Sequence, residues 1–481
     1  MKICILGLDG ANPQFLFGDE RLANIRRLME LGTYGELRNV MPPGPVPGWL
    51  CLATSQDPGS LGLYGLRNRL DYSYALPALA APSLAHGPAI WDQVAAAERK
   101  SILFAVPPNF PPRPVAGVSL GCFLTPDPAA GEFTLPASLK QEIQSLVGGY
   151  VADIKTAGLS KEALRDQIFQ MSRKQWELVR WLLREKEWDY FHFVDIGLAR
   201  VEREFWEFFD QQHARYRSGT PYEQVIPDYY LWLDEQIGTV LELLDEETVL
   251  LLASSSAMQR LDGGFALNQW LVQEGLLVLN QAPGSNLTAF DHLDVNWAQT
   301  KVWSSDGLCA SLYFNVAGRE PQGAIPAGDY ESFLDHIKTK LESLSDATGQ
   351  PLSARVFKPA ELYREARKVA PDLIVQLGEG RWSSVESVGH PRLLVENMAD
   401  GCIPGGSGAF VLTAPNSPLS GMYEGAQLLD MAPTLLDLAG YEIPASMQGR
   451  SLVTGMEKKG RGADSDNDQI ILDRLAGLGY V

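Results

Sequence analysis

The chain has 481 residues, 45% hydrophobic and 21% charged, with 59 acidic against 40 basic residues and a net charge of −19. At roughly 150 residues per domain, such a composition gives a globular protein with a large core and more than one lobe. A chain this acidic, without a basic run, repels polyanions, which excludes nucleic acid as a partner. The five cysteines (Cys4, Cys51, Cys122, Cys309, Cys402) are odd in number and lack C-x-x-C spacing, so neither a disulfide framework nor a zinc knuckle is expected. A reducing cytoplasm suits them. No stretch reaches the roughly 18 apolar residues of a membrane span, and the N-terminus lacks a signal-peptide pattern, so no membrane partner is expected.

In chain order, the apolar run Ile3 to Leu6 ends at Gly7 and predicts a strand buried on both faces. Asp9 then falls at its carboxyl end, where open α/β sheets place ligands; it can hold a metal or ligand, or cap the next helix. Leu22, Ile25, Leu28 and Met29 recur at helical spacing before Gly32. Met41 to Gly48, reading MPPGPVPG, is expected to be a rigid irregular loop because proline lacks an N–H and fixes φ. A helix over Trp49 to Thr54 and a turn-rich loop over Asp57 to Arg69 follow. Next come a helix over Ala89 to Ala97, a strand over Ser101 to Val106 and a second proline-rich loop over Pro107 to Pro114.

Leu164, Ile168, Met171, Leu178 and Leu182 line one face of a long helix over Ser160 to Glu187, with Ser160 placed as its cap. A strand over Trp188 to Val194, a helix carrying Ile226, Tyr230, Leu233, Ile237, Val240 and Leu244, and a strand over Thr248 to Ala253 continue the alternation. This rhythm predicts a doubly wound, mostly parallel α/β sheet with right-handed crossovers. It changes between about Leu267 and Ala370, where GREPQG (Gly318 to Gly323) reads as a loop in an inserted lobe. Strands return at Asp372 to Leu377 and Ala409 to Thr413, and Asp430 to Pro433 opens a helix with proline in its first turn. The expected organisation is a core over 1–266, a smaller inserted lobe over 267–370, the rest of the core over 371–455, and a charged tail over 456–481 ending in a short helix.

LGLDG around Asp9, MPPGPVPGW, DPGSLGLYGLRNR, PPNFPPRPVAGVSLGCFLTP, NVAGREPQG, the pair PDL and SVGH, and DMAPTLLDLAG occur in one order along the chain. Together they resemble the alkaline phosphatase superfamily, in its type I phosphodiesterase/nucleotide pyrophosphatase branch. The resemblance implies a doubly wound α/β fold that hydrolyses phosphate or sulfate esters with two divalent metals, usually zinc, and a Thr or Ser nucleophile. Such a site needs a metal-activated hydroxyl and two ions that clamp the attacking and leaving oxygens.

Asp9 matches the family's first metal ligand. Elsewhere the matching positions are altered. Pro45 stands where the nucleophile is expected, and Ala199 and Arg203 replace an Asp and a His one helical turn apart. Ser255 and Ser256 replace another Asp and His, and no His occurs between Asn397 and Gly408. No catalytic residue, no metal ligand set and no cofactor are therefore expected for this chain.

His86, His213, His292 and His336 read as solvated surface residues and His192 as a satisfied core histidine, whereas for His390, with Asn397, two readings stand level, cleft lining and incidental placement. Ser254 to Ser256 have no neighbouring base and no G-x-S-x-G elbow, so they read as a hydrogen-bonded loop. A buried Asp9 without a metal must find a cation or donors or take up a proton. Arg203, or the hydroxyls of Ser255 and Ser256, is expected to reach it. The leading reading is a pseudoenzyme that keeps the fold for a phosphorylated small molecule or a protein partner. The alternative is a working hydrolase with an atypical site. The sequence leaves the oligomeric state open.

Overall fold

The computed structural model describes residues 1–454 apart from 86, 282–285, 306, 346–348 and 397. His86, Asn397 and the helix expected in the tail lie outside the described residues. The core is a nine-stranded sheet ordered Gly421–Met422, Thr33–Leu37, Gly408–Thr413, Thr248–Ser254, Lys2–Leu8, Tyr190–Asp195, Ser101–Phe104, Gly117–Leu120 and Thr134–Leu135. The five strands from Thr248–Ser254 to Gly117–Leu120 run parallel, and Gly408–Thr413 pairs antiparallel with Thr248–Ser254. This is the doubly wound α/β architecture that the strand and helix alternation predicts.

The pleat of Lys2–Leu8 divides its side chains between two cores. Ile3 and Ile5 pack with the helices Pro45–Thr54, Ile90–Ala96 and Met431–Ala439 on one face of the sheet. Cys4, Leu6 and Leu8 pack with Ala23–Leu31, Lys161–Glu185, Gly197–Phe209 and Val225–Leu241 on the other. Helices on both faces explain why the strand reads as a continuous apolar run rather than an alternating one. Ser160 caps the long helix as expected, its Oγ accepting from the Ala163 N–H at 3.2 Å.

A four-stranded antiparallel sheet, ordered Val302–Ser304, Cys309–Phe314, Leu373–Gln376 and Arg355–Phe357, has a separate apolar cluster that includes Phe314, Leu334 and Val375. Leu373–Gln376, expected as a returning core strand, is a member of this smaller sheet. GREPQG forms turns, and Arg319 within it is bound by Glu320 and Asp372.

The proline-rich segment departs from its expected irregular path. The helix begins at Pro45, not Trp49, with Gly44 before it at φ +136°. Pro45 and Pro47 both fall in the first turn, where the N–H groups have no intrahelical acceptor, so proline costs nothing there. Glycine supplies the left-handed entry that a side chain would oppose.

Candidate functional site

The site lies at the carboxyl ends of three neighbouring parallel strands. Leu8 is in register with Asp195, and the Asp9 N–H donates to the Asp195 carbonyl at 3.0 Å, which places both carboxylates beside the end of Thr248–Ser254. Asp9 lines a cavity of about 430 Å³. Pro42 to Pro47, Ala199, Arg200, Arg203, Arg67, Phe123, Leu308, Asp400 and Cys402 also line it.

Asp9 is 4% exposed, and its Oδ1 accepts from the indole N–H of Trp49 at 2.7 Å. Gly7 makes that contact reachable: a Cβ there would lie 2.5 Å from the Trp49 ring. Burial pushes the Asp9 carboxyl up from 3.8 to about 6; the Trp49 bond and the Arg200 charge oppose the shift, and Asp195 adds to it. Arg200 is held by Asp153 through two hydrogen bonds, at 2.8 and 2.6 Å, and its guanidinium lies 5.5 Å from the Phe123 ring centre.

Two more buried carboxylates flank Asp9. Asp195 accepts from Trp176 Nε1 at 2.7 Å, from Tyr229 at 3.1 Å and from the Leu198 N–H at 3.1 Å. Burial raises its pKa and these donors oppose the shift. Glu202 accepts from the Tyr230 hydroxyl at 3.0 Å through Oε1, while its buried Oε2 has no partner among the described residues. Burial drives its pKa well above the usual carboxylate value; the Tyr230 hydrogen bond opposes this and the Asp9 charge adds to it.

The structure brings Asp9, Pro45, Ala199 and Arg203 to one cavity. The expected rescue of Asp9 by Arg203, Ser255 or Ser256 does not occur. Arg203 pairs with Asp400 at 3.5 Å and Glu204 at 3.8 Å. Ser255 packs beneath Gly48, and its buried hydroxyl has no partner among the described residues. The Ser256 carbonyl accepts from the Ser254 hydroxyl at 3.0 Å. Trp49 donates to Asp9, and the Arg200 charge acts on it from nearby. The sequence does signal both: Arg200 fills the Arg of the family's D-R-x-x-H string, and Trp49 ends its proline loop.

His390 is outside the cavity lining, with Nε2 2.8 Å from the Ser387 hydroxyl. His213 is buried, not solvated: its Nδ1 accepts from the Arg215 N–H at 3.1 Å. His192 is a core residue whose Nδ1 meets the Tyr190 hydroxyl at 2.9 Å, but its Nε2 is unpartnered among the described residues. Burial therefore drops its pKa to about 3. Among the described residues no group of three or more His, Cys, Asp or Glu side chains could hold a metal ion. The one aspartate that matches a metal ligand is taken up by an indole N–H and lies within the field of the Arg200 cation, so the residues at Asp9 do not fit a metal ion.

The sequence matches the type I phosphodiesterase / nucleotide pyrophosphatase family over residues 3–402. Among solved structures, the chain is similar to murine ectonucleotide pyrophosphatase / phosphodiesterase 5, at 12% identity, covering 92% of this chain and 96% of that one, with a TM-score of 0.51. It is also similar to an inactive form of that murine protein in complex with AMP, at 13% identity, the same coverages and a TM-score of 0.51. At such identities the likeness carries the fold alone. No curated protein gives a significant match. Members of the matched family are zinc-dependent phosphodiesterases, which corrects the expectation of no cofactor: a divalent metal is what the family assignment carries. With the match spanning most of its 481 residues and the strand order to go with it, this chain belongs to the type I phosphodiesterase / nucleotide pyrophosphatase family.

Proposed function

We propose that this chain is a non-catalytic member of its family whose cleft binds a phosphorylated small molecule. The observation that carries this reading is Pro45. It is the first residue of the helix Pro45–Thr54 and lines the cavity with Asp9, where the family resemblance calls for a nucleophilic hydroxyl. Proline offers neither a hydroxyl nor an N–H. The nearby Ser255 hydroxyl is buried under Gly48, with no hydrogen-bond partner among the described residues to activate it.

Binding is supported by the cavity itself, which carries three arginines beside apolar lining from Phe123, Leu308 and Met258. Arginine matches phosphate oxygens in geometry and charge. The murine structural neighbour, in an inactive form, is seen in complex with AMP, so a member of this fold class can hold a nucleotide without turnover. Five free, buried cysteines support a reducing compartment such as the cytoplasm. No described helix is long and apolar enough to cross a membrane.

The family assignment favours a second reading, an active metal-dependent phosphoric-ester hydrolase with an atypical site. Incubating the purified chain with a chromogenic phosphodiester and added zinc or manganese separates the two. The first reading expects no release above the uncatalysed rate. Metal-stimulated turnover, with zinc bound stoichiometrically, would overturn it.

A further inference from the structure

Three arginines line the cavity, and they are not equivalent. Arg200 is committed to Asp153 through a two-pronged pair. Arg67 gives Nη1 to the Pro77 carbonyl at 3.3 Å. Arg203, one turn after Ala199 on the helix Gly197–Phe209, donates no hydrogen bond to any described residue, and its Nε is buried without a partner. The nearest carboxylate oxygens, on Asp400 at 3.5 Å and Glu204 at 3.8 Å, lie beyond the reach of a proper N–H···O bond. A fully charged guanidinium with five N–H donors is thus held at a cavity wall by loose ionic contacts.

We infer that Arg203 is the phosphate-recognising side chain of this cavity and that Asp400 is the internal counter-ion it releases when the ligand binds. The inference rests on the proposed phosphorylated ligand.

Asp400 is suited to that part. Its side chain is 46% exposed, so it can turn into solvent at little cost. Its backbone stays in place: the Arg215 guanidinium donates to the Met398 carbonyl at 2.6 Å, and the Gly401 N–H donates to the Arg203 carbonyl at 3.0 Å. The carboxylate therefore remains beside Arg203 in the empty protein and competes with an incoming anion. A phosphate oxygen can take the orphaned Nε and a neighbouring Nη together, the paired geometry that guanidinium favours. Asp9 opposes this only in part, because the Trp49 hydrogen bond and the Arg200 charge act on its carboxylate. Leu308, Phe123 and Met258 leave apolar wall for an organic group, which points to a phosphate monoester over the bare ion.

Calorimetric titration of the full chain with AMP, and separately with inorganic phosphate, tests this. AMP is expected to bind more tightly than phosphate. Arg203→Gln should weaken AMP by about tenfold or more, with Arg203→Lys intermediate because it keeps charge but loses the fork. Asp400→Asn should tighten AMP by about threefold, as an exposed competing charge is removed. Wild-type and Arg203→Gln chains that bind AMP alike would overturn the role of Arg203 and leave the non-catalytic reading standing. An unchanged affinity in Asp400→Asn would remove the counter-ion. If the wild type binds neither probe, the inference and the phosphorylated-ligand reading both fall, whereas diester hydrolysis would strike only the non-catalytic reading. The Asp400→Asn arm still decides if Arg203→Gln does not fold, because it changes an exposed side chain.

Discussion

Asp9 makes sense as a carboxylate whose neighbours have been rebuilt. Burial raises its pKa from 3.8 to about 6, so the fold disfavours its ionised form. The sign follows: below about pH 4 the group is protonated in folded and unfolded chains alike and costs nothing. As pH rises from there toward 6 the unfolded chain ionises first, and stability falls by up to ~3 kcal/mol, after which the loss is constant. Asp9→Asn keeps an acceptor for the Trp49 indole and removes the charge. Its melting temperature is expected to exceed that of the wild type at pH 8 and to converge with it near pH 4. A variant less stable than the wild type at pH 8 would mean that the Arg200 attraction outweighs desolvation. Nothing in the sequence alone could distinguish these outcomes, because the contest is set by Trp49, forty residues away, and by Arg200, on a different helix.

The helix Pro45–Thr54 shows the same dependence on context one level up. Its first turn carries two prolines, and those residues read as loop; the fold accepts them because the lost N–H groups have no intrahelical partner. The helix sits close on the end of Thr248–Ser254, where a Cβ on Gly48 would come 2.7 Å from the Cβ and Oγ of Ser255. Gly48→Ala should therefore push the helix off the sheet and cost about 1–3 kcal/mol by overpacking, read from chemical denaturation. If Ser255→Gly in the same chain restores most of that loss, the contact is the cause. Elements with a clean period, such as Lys161–Glu185 with its Ser160 cap or the buried run of Lys2–Leu8, were legible in the sequence because their signal is local. The pairing of Arg203 with Asp400 was not, since Asp400 becomes its neighbour only when the strand Cys402–Gly406 is laid against Ala257–Arg260, whereas Glu204 is simply the next residue on the helix. Likewise Leu373–Gln376 has the composition of any buried strand, and only pairing shows which sheet takes it.

At the scale of the molecule, the hairpin Arg67–Asn68/Ala78–Leu79 and the four-stranded sheet are fastened by a buried ionic cluster. Arg319 donates to both Asp372 oxygens, at 2.7 and 2.9 Å, and to Glu320 at 3.0 Å. Arg69, 5% exposed, reaches Glu320 at 3.5 Å, and its guanidinium lies against the rings of both Trp303 and Tyr313, 5.0 and 4.9 Å from their centres. Asp372 is also met by the Tyr330 hydroxyl at 2.7 Å and the Phe314 N–H at 2.7 Å, so its charge is fully hydrogen-bonded. Replacing a whole buried cluster by apolar groups can be neutral, whereas removing one partner strands the others. Arg319→Met should accordingly cost about 3–5 kcal/mol, because Asp372 keeps its burial and loses its cation. Adding Asp372→Asn should recover part of that loss, giving a coupling energy of at least ~1 kcal/mol in a double-mutant cycle. Additive losses would mean that Tyr330 and the Phe314 N–H alone satisfy Asp372, and that Arg319 acts through packing against Tyr72 and Tyr330. The cycle thus decides whether charge or packing holds Arg319, the anchor of Glu320 and so of its Arg69 partner, within the smaller sheet.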